Sequence, residues 1–156
     1  MTRQPSPVSN DLKEDLVVDS VDMKAPTFVR DFRDLVVWQK GIGLVKTLYV
    51  LTKKFPQDEL FGLTSQIRRA AVSIPSNIAE GQQRNTTNDF RRHIAIAMGS
   101  LAEVETQIII ATEIGYLDIS TKDAVQNQIS ELRRMLCGLE SGLKGSLNKR
   151  GTKGVR

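Results

Sequence analysis

Apolar residues recur at helical spacing in four successive segments of this chain, separated by short polar connections. In the first segment Leu35, Trp38, Ile42, Val45 and Tyr49 follow at intervals of 3, 4, 3 and 4, the stripe that a bundle helix turns toward its neighbours. Asp31 stands where an N-cap is wanted and Pro56 closes the segment, so a helix is expected between them. A second stripe runs through Leu63, Ile67, Ala70, Ala71, Ile74 and Ile78. The third comprises Phe90, Ile94, Ala97, Leu101, Val104, Ile108 and Ala111; it opens among the caps of "NTTNDF" and ends at Gly115. The fourth, Val125, Ile129, Leu132, Leu136, Leu139 and Leu143, begins at Ser120 or Thr121. Long helices with short connections predict an all-α, antiparallel up-down four-helix bundle over residues 31–143. No segment of period two competes with it.

The second stripe passes straight through Pro75 in "VSIPSNIAEG". A proline there removes one backbone donor and crowds the carbonyl of Ala71, which predicts a kink. Ser73 or Ser76 is placed to reach back to carbonyls of the preceding turn. Asn77 and Glu80 have the spacing of a capping box, which would restart the helix beyond the kink. In the first helix Gly41 and Gly43 each cost about 1 kcal/mol against alanine, so close backbone packing is expected at both.

The third helix is apolar on more than one side, with Ile96, Met98, Ile109 and Ile110 off its main stripe. A second apolar face in so small a domain predicts burial against another copy, hence a homo-oligomer.

Composition narrows the class. A chain of 156 residues with 40% apolar and 26% charged residues suits one globular domain. Aromatics at 5% are too few for a base-stacking sheet. One cysteine, Cys137, excludes an internal disulfide framework and a thiolate-cluster metal site; beside the fourth stripe, it is expected to pack rather than react. No run of about 18 apolar residues predicts a membrane span. The first residues lack the core of a signal peptide, so a cytoplasmic location is expected. Residues 1–30 carry four basic and five acidic side chains with Pro5, Pro7 and Pro26, and read as a flexible arm. Residues 144–156 carry five basic side chains and no acid, and read as a basic, disordered tail. The body between them has 13 of each sign. The high pI is therefore a property of the tail.

Catalysis finds little to work with. Ser73 needs a general base, and the only histidine, His93, lies on another helix beside Arg91 and Arg92. "GIGLVK" follows no strand, and no Glu-x-x-His pair offers bundle-type metal ligands. A non-enzyme without a cofactor is expected.

The words of the chain carry a resemblance. "DFRDLVVWQKGIGLV", "YVLTKKFPQDELFGLTSQIRRAAVSIPSNIAEG" and "FRRHIAIAMGSLAEVETQI" closely resemble the four-helix-bundle family of 23S rRNA intervening-sequence proteins, over about residues 31–143. The matching motifs are Trp38-Gln39, Phe55-Pro56 with Glu59, Gln66 with Arg68-Arg69, Ser73 to Gly81, and Gly99-Ser100 with Glu103. The resemblance implies a homopentamer built as a ring around a central channel. It also implies kinship with the accessory variability determinant of diversity-generating retroelements, which binds a reverse transcriptase and nucleic acid. RNA binding without enzymatic activity is the function it implies.

Against that expectation the basic residues divide. Arg84, Arg91 and Arg92 cluster about the connection between the second and third helices, off the stripe of Phe90 and Ile94. They read either as a solvated face or as phosphate contacts, and a ring would repeat them. Arg68 and the tail residues Lys149, Arg150 and Lys153 join these candidates. One of Arg68 and Arg69 is expected to pair with Glu80 or Glu103; Arg69 and Glu103 join Pro75, Ser73, Asn77 and Glu80 as structural residues. A protein–protein scaffold with no nucleic-acid role is the competing expectation, motivated by the charge-balanced body and the excess apolar surface of the third helix.

Overall fold

A computed structural model describes residues 31–151. The expected arm, residues 1–30, and Lys153 lie outside the described residues. Among the described residues there are four α-helices and no strand.

Asp31 does act as a cap, but of a single 3-10 turn, Phe32–Asp34, where its carboxylate accepts from Arg33 N at 2.8 Å. The first helix, α1, is Val36–Thr52. Its buried positions are Val37, Gly41, Leu44, Leu48 and Thr52, close to one residue ahead of the expected stripe. Trp38, Ile42 and Val45 are half-buried beside it and Tyr49 is exposed. The reason lies in Gly41, where a Cβ would stand 3.4 Å from Pro75 Cβ. The position of closest approach must be small, so the buried seam runs through a residue that counts as nothing on a hydrophobic scale. Gly43, also expected to pack closely, is exposed with open space around it.

The second helix, α2 (Leu63–Gln82), is continuous through Pro75. Its start is capped from the preceding turn, where Glu59 Oε2 accepts from Leu63 N at 2.9 Å. Ile67, Ala70, Ala71, Ile74 and Ile78 are buried as their spacing predicts. The third helix, α3 (Thr87–Glu113), has Thr86 as its cap, accepting from Asp89 N at 3.1 Å. It ends before Gly115, whose φ of +86° is a left-handed conformation open to glycine. The fourth helix, α4 (Ile119–Gly151), starts earlier and ends later than expected. Asp118, rather than Ser120 or Thr121, is the cap, its Oδ1 accepting from Thr121 N at 2.7 Å. Past Leu143 the helix continues with Leu147 alone on the apolar spacing, through the first part of the segment expected to be a disordered tail.

Paired residues fix the topology. Gly41 meets Pro75 and Thr52 meets Arg68; Ser73 meets Ser100 and Asn77 meets His93; Arg91 meets Glu140 and Glu105 meets Arg133; Lys40 meets Glu131 and Thr47 meets Gln128. Each neighbouring pair of helices therefore runs antiparallel. α1 and α3 each pack on α2 and α4, and the α2–α3 contact is the most extensive. The core holds Leu44, Leu48, Ile74, Ile94, Leu101 and Leu136, all fully buried, each worth about 1.5–3 kcal/mol. Among the described residues only α3 has the length and hydropathy of a membrane-spanning helix. Its Ile94, Ala97, Leu101, Val104 and Ile108 are buried against the other helices, the pattern of a bundle's central helix.

Candidate nucleic-acid interface

Two features stand out once the helices are in place: a polar seam between α2 and α3, and a cationic end beyond it. The seam begins at Ser73, whose Oγ lies 2.8 Å from Ser100 Oγ. Asn77 Nδ2 donates to the Ser73 carbonyl at 2.8 Å and to Ser73 Oγ at 3.1 Å. Its Oδ1 lies 3.1 Å from His93 Nδ1. With Nδ2 occupied as a donor, Oδ1 must accept, so Nδ1 is the protonated ring nitrogen. His93 Nε2 then faces Glu80 at 3.9 Å, and Glu80 accepts from Arg84 Nη2 at 2.5 Å.

These contacts correct the expected repair of the proline. Asn77 and Glu80 form no capping box, because the helix does not restart there. Ser73 turns to α3 rather than back to a carbonyl. The seam depends on a close approach at Gly81, where a Cβ would lie 2.7 Å from both His93 Cβ and the Phe90 ring. His93 is thus brought to Asn77, which sequence reasoning missed. The signal was present, since Ser73, Asn77 and Glu80 fall at i, i+4 and i+7, and His93 and Ser100 at i and i+7. Ser73 itself bonds to Ser100 and Asn77, not to the imidazole. Among the described residues no three His, Cys, Asp or Glu side chains gather as metal ligands.

The arginines sort differently from expectation. Neither Arg68 nor Arg69 pairs with Glu80 or Glu103. Arg68 Nε donates to Thr52 Oγ1 at 2.9 Å and its guanidinium lies 4.7 Å from the centre of the Tyr49 ring, a cation–π contact. Arg69 is exposed beside Gln66 and Glu103, and Glu103 instead accepts from Gln107 at 3.2 Å. A short helix-1 hydroxyl claims Arg68 because Thr52 lies on the buried seam that the α1 stripe misplaced.

Arg84, Arg91 and Arg92 do share one end of the bundle. Arg84 is paired with Glu80 but half open to solvent. Arg91 is committed to α4, with Nε and Nη2 donating to Glu140 Oε1 at 3.0 and 2.7 Å. Arg92 is exposed. Arg91 and Arg92 line a groove of about 590 Å³ with Cys137, Glu140 and Ser141, so Cys137 is exposed there and not packed in the core. One turn further along α4 lies exposed Lys144, and then Lys149. The register set by Arg91 and Glu140 places Lys144 opposite the start of α3. The last seven residues of α4 therefore project past it by about 10 Å. From Ser141 onward the sequence contains no acid. The side chain of Arg150 lies outside the described residues.

The molecule is thus an antiparallel four-helix bundle with a polar α2–α3 seam and a cationic helical extension. Its sequence matches that of the 23S rRNA-intervening sequence protein family over residues 33–138, and the chain belongs to that family. A solved structure with the same fold is a protein of unknown function from the S23 ribosomal protein family of Bacteroides thetaiotaomicron. It is 23% identical, with a TM-score of 0.64, over 68% of this chain and 96% of that one. No curated protein matches the chain.

Proposed function

We propose that this is a non-enzymatic, oligomeric bundle that binds RNA or another nucleic acid, as an rRNA-associated protein or as a reverse-transcriptase accessory factor. The observation that carries the reading is the projecting end of α4. Lys144 stands level with the start of α3 and Lys149 lies beyond it, at the same end of the bundle as Arg84 and Arg92, in a segment of α4 with no acid. Phosphate contacts by arginine and lysine supply affinity without sequence readout. Copies arranged in a ring, the pentamer the family resemblance implies, would repeat this end and turn a weak site into a strong field. The family description, a protein of an rRNA-intervening sequence, supports an RNA as the first ligand to test.

Nuclease-treated protein titrated against a labelled 23S rRNA fragment at low salt should shift it in a gel, with little preference over an unrelated RNA of equal length. An absence of binding at about 50 mM salt would overturn the reading, because charge-driven affinity is greatest there.

A protein–protein scaffold is favoured by one specific observation. An open groove of about 650 Å³ between α1 and α2 is lined by Tyr49, Leu60, Phe61 and Val72 as well as by arginines. Capture of one defined protein, surviving nuclease treatment and without any RNA binding, would support that reading instead.

A further inference from the structure

The apolar stripe of α1 that the core leaves out has a surface of its own. Trp38, Ile42 and Val45, all half-buried, line a shallow groove of about 250 Å³ with Val72, Pro75 and Ala79 of α2. Val72 and Ser76 also line the larger α1–α2 groove, together with Tyr49, Leu60 and Phe61. The two grooves therefore form one trough, which follows α2 from Ala79 to Ser65 for about 20 Å. Phe61, at the far mouth, is 93% exposed, and an aromatic ring left in water is a large unburied apolar surface. Among the described residues no acid lines the trough. Arg68 is fixed over Tyr49 by its bond to Thr52, and Arg69 makes no hydrogen bond or ion pair with a described residue. The trough is thus apolar along its length and positive toward its far end.

The chain enters the bundle at the other end of the trough. Phe32 packs against Trp38 with ring centres 5.4 Å apart, and the turn Phe32–Asp34 packs on α2. The segment before Asp31 therefore meets the bundle beside Trp38. Its composition matches the trough. Residues 11–23, "DLKEDLVVDSVDM", carry Leu12, Leu16, Val17, Val18, Val21 and Met23 among five acids and one lysine, a net charge of −4. Met23 stands eight residues before Asp31, and a chain of that length can span about 26 Å. That exceeds the length of the trough. The acids of the segment can accordingly reach Arg68 and Arg69.

We infer that residues 11–23 lie in the α1–α2 trough of their own chain, with apolar side chains against Ile42, Val72 and Phe61 and carboxylates beside Arg69. Burial of leucine, valine and methionine against an apolar floor supplies the driving force, and the arginines select an acidic segment. The cationic end of the bundle offers the acids partners as well, but would leave the six apolar side chains in water. A short tether holds the segment at an effective concentration in the millimolar range, so a contact of modest strength keeps it seated. The arrangement gives the second apolar face of α1 a cover that the four helices do not provide. A protein partner docking in this groove, as the scaffold reading requires, must first displace the arm. The inference does not depend on nucleic-acid binding, which uses the cationic end.

The test uses the full chain and its one tryptophan, Trp38, at the end of the trough that the arm must pass. The arm variant replaces Leu12, Leu16, Val18 and Val21 together with serine, which keeps its length and charge. The trough variant is Val72→Glu, at an exposed position shared by both grooves. Acrylamide should quench Trp38 about twice as strongly in either variant as in the parent, and no more strongly when the two are combined, because both remove one contact. Sedimentation velocity should give one mass for all four proteins. Quenching equal to that of the parent in the arm variant would overturn the inference, as would effects that add in the combined protein. A lower mass for the arm variant would assign the cover to a second copy and overturn it too. RNA binding by the same samples reports separately. Raised quenching in proteins that bind no RNA defeats the proposed function alone, and unchanged quenching with RNA bound defeats this inference alone.

Discussion

Asn77 and His93 join α2 to α3 through a single carboxamide, whose Oδ1 accepts from the ring Nδ1 at 3.1 Å while its Nδ2 donates to Ser73. All three residues are half-buried. Replacing Asn77 with leucine leaves the ring donor without its partner and removes the second bond to Ser73, which keeps Ser100, at a cost of about 1–3 kcal/mol. The urea midpoint of Asn77→Leu should fall accordingly, with the slope of the transition unchanged. A midpoint equal to that of the parent protein would show that the seam contributes nothing to stability.

Gly81 and Gly43 make a controlled pair. A methyl at Gly81 meets His93 Cβ and the Phe90 ring at 2.7 Å, whereas a methyl at Gly43 meets nothing within 4 Å. Gly81→Ala should lose about 1–3 kcal/mol to overpacking. Gly43→Ala should gain about 0.5–1 kcal/mol from helix propensity alone. Thermal melts of the two variants should move in opposite directions.

Gln107 is buried on α3, and its Oε1 has no partner among the described residues, although its Nε2 reaches Glu103. An unmade bond at a buried acceptor costs more than removing the polar group altogether. Gln107→Met, which conserves volume, should therefore raise the urea midpoint. A loss of stability would show that the amide has a partner in solution that holds the helix in place.

Glu105 reports on the α3–α4 contact through pH. Its hydrogen bond from Arg133, helped by one from Gln126 and opposed by burial, holds its carboxyl below the ordinary value of 4.5. A depressed carboxylate stabilises the fold above its unfolded pKa, and that stability is lost as pH falls through the folded value. Glu105→Gln should thus be less stable than the parent at pH 7, and the gap should close in titrations carried below about pH 4.5. A gap that stays constant to pH 3 would remove the charge from the explanation.

The sequence made three of the four buried stripes legible, because on α2, α3 and α4 the periodic stripe coincides with the buried face, even though α3 carries further apolar residues off it. α1 was misread because it is apolar on several bearings and its true seam runs through Gly41, chosen by Pro75 rather than by hydrophobicity. The end of α4 was misread for the opposite reason: past Leu143 only Leu147 continues the spacing, among glycines and basic residues that read as a tail. Of the candidate basic residues, spacing alone showed that Arg84, Arg91 and Arg92 share one end. It could not show that Glu140, 49 residues from Arg91, claims that arginine, because ion pairs between helices depend on register. Nor could it show that Cys137 faces solvent, one bearing away from the stripe it adjoins.

The salt dependence of RNA binding tests the central claim most directly. The logarithm of the binding constant should fall linearly with the logarithm of salt concentration, with a slope of about −0.7 per phosphate contacted on a single strand. Replacing Arg92 and Lys144 with glutamine, both exposed and outside the core, should make that slope shallower and weaken binding to all RNAs alike. A slope unchanged by the double substitution would contradict the account, since the contacts would then lie elsewhere on the molecule.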